Sequence, residues 1–132
     1  MRVFHAPDVA PEIADPKNFR GRAHMKRVAA MEDGEPVVVY WVEFEPGGRT
    51  NWHTHSGVQL LLVTDGRGRV QKWGEPSQEI GAGDTVYVAP SEKHWHGAAP
   101  GTRMAHFAVN LNVTTTWLEP VSEDDYKGRE SR

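Results

Sequence analysis

"WHTHSGVQLLLV", residues 52–63, sets two histidines one residue apart and then enters a row of aliphatics interrupted by one amide. Side chains of equal parity share a face along a strand. His53 and His55 therefore project together while Thr54 points the other way. A regular strand continues that face through Gln59 and Leu61, with Gly57 able to bend it beforehand. Imidazoles in an apolar setting need partners. Several of them together repel when protonated, and a bound cation holds them neutral and aligned.

Outward from this stretch the chain is a series of short segments rich in β-branched and aromatic residues, bounded by Gly, Pro or Asp-Gly. Residues 37–45 read as a strand closed by Pro46-Gly47-Gly48. "VQLLLVTDGRGRVQKW" reads as a hairpin, its glycine-bearing loop at Asp65 to Gly68. "EIGAGDTVYVAP" gives a turn and a short strand before Pro90, and 102–112 gives another strand. "AHMKRVAAME", 23–32, permits a helix by composition, but its neighbours favour a strand. The charged tail 119–132, "EPVSEDDYKGRESR", is expected to fray and be partly disordered, with one helical turn from Ser122. This spacing of strands and turns points to an all-β sandwich, jelly roll or small barrel.

The same parity argument extends to the other strands. "KHWHG" repeats the pattern with His94 and His96 about Trp95, and on the last strand Met104, His106, Ala108 and Asn110 share a face. Two H-x-H pairs bracketed by glycines suit a divalent transition metal, imidazole being a ligand for Zn, Mn, Fe and Ni. His5 and His24 fall outside this pattern and read as surface residues. Trp41, Trp52, Trp73 and Trp95 read as packing residues, and Glu92 with Lys93 as a solvated loop ion pair.

Composition closes off other classes. At 132 residues the chain reads as a single domain, 1–132. With no cysteine it has no disulfides, thiolate metal sites or cysteine nucleophile. A net charge of -3 without a basic stripe speaks against nucleic acid. The longest apolar run is too short to span a membrane, and the acidic, proline-bearing N-terminus does not read as a signal peptide, so a cytoplasmic protein is expected.

"GGRTNWHTHSGVQLLLVTDG", 47–66, resembles the first cupin motif, with Gly47, His53, His55, Gln59 and Gly66 at its spacing. "GDTVYVAPSEKHWHGAA" resembles the second through Gly83, Pro90 and His94, although one residue is added before the proline and the usual asparagine is missing. The resemblance implies a six-stranded jelly-roll β-barrel with its core at 36–112, preceded by N-terminal extension strands. It also implies one divalent metal on His53, His55, Gln59 and His94. Manganese is the first expectation, with iron, zinc or nickel as alternatives. More narrowly, "NWHTH", Gln59 and "PSEKHWHGAAP" resemble small bacterial cupins with hydroxynitrile lyase activity, whose pockets hold further histidines at the positions of His96 and His106.

That resemblance implies cleavage of a small organic substrate, a cyanohydrin. His106 or His96 would be the general base. Tyr40, Val42 and Asn110 fall on the pocket wall by parity. Gln59 brings no charge, so an ion on three imidazoles and an amide keeps its formal +2. An Fe or Mn dioxygenase for a phenolic or diketone substrate, and a non-catalytic small-molecule-binding cupin, remain as alternatives. Leu60, Leu62, Phe107, Val109 and Leu111 form an apolar parity set suited to a homodimer or homotetramer.

Overall fold

The computed structural model describes residues 1–128. After a short 3-10 turn at Ala6–Asp8 come β1 (Glu12–Ile13), β2 (Phe19–Arg20), β3 (Ala23–Met31), β4 (Val37–Phe44), β5 (Arg49–Thr50) and β6 (His53–His55). Then follow β7 (Val58–Lys72), β8 (Gln78–Gly81), β9 (Thr85–Val88), β10 (His94–Ala98), β11 (Met104–Leu111), β12 (Thr115–Trp117) and helix α1 (Glu123–Lys127). The architecture is the expected all-β jelly roll, curled around a buried interior. Segment 23–32 is a strand; pairing with β4, not its own alanines, decides its state. No helix among the described residues is long and apolar enough to cross a membrane.

The hairpin expected at Asp65–Gly68 is absent. Residues 58–72 form one long strand that serves two sheets: β11 and β9 flank its first half, β10 and β8 its second. The glycines are there for close approach. A Cβ on Gly66, whose φ is +75°, would lie 1.8 Å from the Arg103 carbonyl oxygen. One on Gly68 would lie 2.2 Å from Met104 Sδ. Turn glycines and crossing-point glycines look alike locally, because both need the missing Cβ.

Alternation holds across the layers. Gln59, Leu61 and Val63 face inward from β7 while Val58, Leu60 and Leu62 are half-buried. On β11, Met104, His106, Ala108 and Asn110 are buried, and Phe107, Val109 and Leu111 are half-buried on the outer side. One core cluster gathers Phe19, Val42, Phe44, Val63, Val70, Ala98 and Met104. A second cluster, Trp52, Trp95, Val121 and Tyr126, lies on the opposite side of β6 and β10.

This second cluster decides the fate of the tail. Ser122 caps α1 through its hydroxyl, Gly128 ends it in the left-handed region, and Tyr126 is buried. The Tyr126 hydroxyl donates to the Ala98 carbonyl at 2.7 Å, and Arg49 donates to Glu123 at 2.8 Å. The tail is thus packed, not frayed, through its helical turn; positions 129–132 of the expected tail lie outside the described residues. The Glu92–Lys93 ion pair gives way to other partners. Glu92 accepts from the Ala89 amide, and Lys93 donates to Glu119 and sits 3.5 Å above the Trp73 ring.

Candidate metal centre

Strand pairing assembles the histidines. β6 runs antiparallel to β10 with His53 opposite His94, and their rings are 4.2 Å apart. On its other edge β6 pairs β12, placing Thr115 opposite His55 and Trp117 opposite His53. Gln59 enters from β7, and His96 follows His94 on the same face of β10. The five imidazoles of His53, His55, His94, His96 and His106 are all buried.

Their hydrogen bonds set which nitrogen is offered inward. His53 Nδ1 lies 2.8 Å from the Asn51 carbonyl and His94 Nδ1 lies 2.9 Å from the Glu92 carbonyl. A carbonyl only accepts, so both Nδ1 atoms carry the proton and both Nε2 atoms keep a lone pair. His55 is held by the Thr115 hydroxyl at 2.9 Å through Nδ1. Gln59 Nε2 donates to Asn110 Oδ1 at 2.9 Å. The inward atoms His55 Nε2, His94 Nε2 and Gln59 Oε1 are buried and without a hydrogen-bond partner. Lone pairs buried in this way are costly, and a bound cation could satisfy them. Outward anchoring of Nδ1 with a free Nε2 is the arrangement of a metal-binding histidine.

The donor set fits a divalent transition ion, and one difference from the sequence expectation follows. One ring nitrogen from each of His53, His94 and His96 lies within 4.8 Å of the others, a group that could hold a metal ion and that has His96 where the sequence expected His55. His96 thus stands beside the ion's place as well as beside the cavity. Its Nδ1 is 3.2 Å from His106 Nε2, and the His106 ring is fully buried with Nδ1 unpartnered. His96 lines the cavity; His106 does not, and it reaches the site through His96.

Burial keeps these rings neutral. His55 is pushed down to about 4 by burial and then by the neighbouring His94, with the Gln59 side chain acting in the opposite direction. His106 is also pushed down to about 4, chiefly by burial. His53 is lowered well below the ordinary value by burial and His94, and His96 by burial and His106. Burial lowers His94 too, opposed by Glu92. Neutral imidazoles are the form a metal takes.

Beside the cluster opens a cavity of about 480 Å³. Its walls include Phe19, Met25, Val38, Tyr40, Val42 and Trp117, with Asn110, Asn112 and Glu32 among the polar groups. Among the described residues no lysine or arginine lines it. Tyr40, Val42 and Asn110, placed on the wall by parity, are all at its surface. Thr115 and Trp117 went unassigned in the sequence, although "TTTW", 114–117, carries the β-forming side chains of a strand. Phe19, near the start of the chain, carries no local signal that it closes the cavity.

The cupin domain family matches residues 40–113. A protein named (R)-mandelonitrile lyase, from Granulicella tundricola, is 47% identical over 112 residues, 83% of this chain and 86% of that one. Among solved structures, a cupin-like protein from Thermotoga maritima superposes with a TM-score of 0.84 at 38% identity, covering 91% of this chain and 94% of that one. The polyketide cyclase RemF from Streptomyces resistomycificus shares the fold at 23% identity, with a TM-score of 0.74 over 96% of this chain and 91% of its own. By the family match over residues 40–113 and a relative at 47% identity, the chain belongs to the cupin family.

Proposed function

We propose that this cupin is a divalent-metal-dependent lyase of hydroxynitrile lyase type, cleaving a cyanohydrin reversibly to an aldehyde and cyanide. One observation carries the reading. Unpartnered His55 Nε2 and Gln59 Oε1 lie at the same cavity surface as His96, beneath aromatic and aliphatic walls. The mandelonitrile lyase name of the relative at 47% identity supports it. A divalent ion held by His53, His55, Gln59 and His94, manganese first among the candidates, supplies Lewis acidity toward a hydroxyl oxygen or nitrile nitrogen.

The chain's own groups do the rest. His96 Nδ1 lies 3.2 Å from His106 Nε2; in the tautomer that donates this hydrogen bond, His96 leaves its Nε2 lone pair free to take a substrate proton. His96 takes the hydroxyl proton as the carbon–carbon bond breaks and its electron pair leaves with cyanide. The same ring then returns the proton, giving hydrogen cyanide and the aldehyde. His106 holds His96 in the required tautomer. Tyr40 and Val42 shape the space for the substituent, and Asn110 offers a hydrogen bond.

The test begins with elemental analysis of purified protein. Chelator-stripped samples are then reconstituted with each metal and assayed for cyanide release from mandelonitrile. Release should require metal, persist without oxygen, and fall at least tenfold in His96→Ala with metal retained. Loss of metal in His96→Ala would make His96 a ligand and remove it as base. No release with any metal sinks the reading for this substrate, and turnover that consumes oxygen favours a dioxygenase.

A further inference from the structure

A glutamine is an ambiguous ligand. One end of its amide binds a cation through oxygen and the other, an NH2, repels it. The two ends differ little in shape, so something must decide which faces the imidazoles. Here Gln59 and Asn110 are directly opposed on β7 and β11, both pointing inward. Gln59 Nε2 donates to Asn110 Oδ1 at 2.9 Å, and Gln59 Oε1 is left buried without a partner. Asn110 lines the cavity, and with Oδ1 committed to Gln59 its remaining polar atom is the Nδ2 donor.

We propose that Asn110 is a positioning residue, which fixes the Gln59 amide oxygen-first toward the metal place and presents its own NH2 to the substrate. One pair of amides thereby ties the ion's fourth ligand to a donor aimed at a substrate acceptor, the nitrile nitrogen or carbonyl oxygen. The first half rests on the donor set alone. The second half rests on the lyase reading given above. Because Asn110 fixes the orientation before an ion arrives, it lowers the ordering cost of binding. Groups that orient a ligand in this way are worth about 10- to 100-fold in metal affinity.

The experiment separates the halves. Metal dissociation constants are measured by chelator competition, with no substrate present, for wild type, Asn110→Leu, Gln59→Leu and the double variant. Asn110→Leu should weaken binding about tenfold, and should add almost nothing once Gln59 is already leucine. Asn110→Asp keeps an acceptor for Gln59 Nε2 and should hold affinity within about threefold or better, yet lose about tenfold or more in turnover because its donor is gone. Should Asn110→Leu not fold, Asn110→Ala takes its place. Unchanged affinity in the single variant, full additivity in the double, or a tenfold loss of metal affinity in Asn110→Asp overturns the positioning role, and unchanged turnover in Asn110→Asp overturns the donor role. If wild type releases no cyanide, the lyase reading and the donor role fall, while the metal cycle still decides the orienting role.

Discussion

The buried imidazoles make the metal-free protein acid-sensitive, and His106 allows the size to be worked out. Its ring is fully buried and holds its pKa at about 4, against 6.5 in the unfolded chain. Between those values the unfolded chain binds more protons, so stability rises with pH and is lost as pH falls from about 6.5 toward 4. At pH 5 the deficit from this one group is about 2 kcal/mol, and below pH 4 it levels off at about 3 kcal/mol. In mid-window the slope is about 1.2 kcal/mol per pH unit for each such histidine. His55 is shifted to a similar value, so the wild-type slope should exceed that of a single group. The assay is urea denaturation of chelator-treated protein from pH 8 to pH 5, for wild type and His106→Gln. The variant keeps an amide beside His96 and should lower the slope by about 1.2 kcal/mol per pH unit, whatever it does to stability at pH 8. A flat wild-type profile, or a slope unaltered in His106→Gln, would refute the claim that burial holds these rings neutral.

Other outcomes follow from particular contacts. Manganese at a hundred times its dissociation constant should add about 2.7 kcal/mol and raise Tm by roughly 10 °C, and equal Tm values with and without any divalent ion would argue against a metal centre. Gly66→Ala puts a Cβ 1.8 Å from the Arg103 carbonyl oxygen at a φ of +75°. It should cost about 3–5 kcal/mol by urea denaturation, and a loss below about 1 kcal/mol would mean that β7 does not cross there as described. Tyr126→Phe removes a buried hydroxyl's bond to the Ala98 carbonyl. A loss of about 1–2 kcal/mol is expected, whereas none would indicate that the tail helix does not dock on β10 in solution.

Much of the site was legible from parity alone. His53 with His55, His94 with His96, and the inward set Met104, His106, Ala108 and Asn110 follow from a two-residue period that needs no knowledge of neighbours. Gln59 could be placed on the same face for that reason, and Tyr40, Val42 and Asn110 on the cavity wall. What parity leaves open is which strand lies beside which, since pairing joins residues far apart in the chain. Only the fold puts His94 opposite His53 and binds His55 through Thr115. It also seats His106 behind His96 and away from the cavity. Only the fold, too, turns the glycines of "DGRGR" from a supposed hairpin loop into the crossing point of a fifteen-residue strand. A missing Cβ permits either, and the atoms that choose between them, the Arg103 carbonyl and Met104 Sδ, lie more than 35 residues further along the chain. Local alternation determined which residues face the candidate metal place; long-range register decided how each is held.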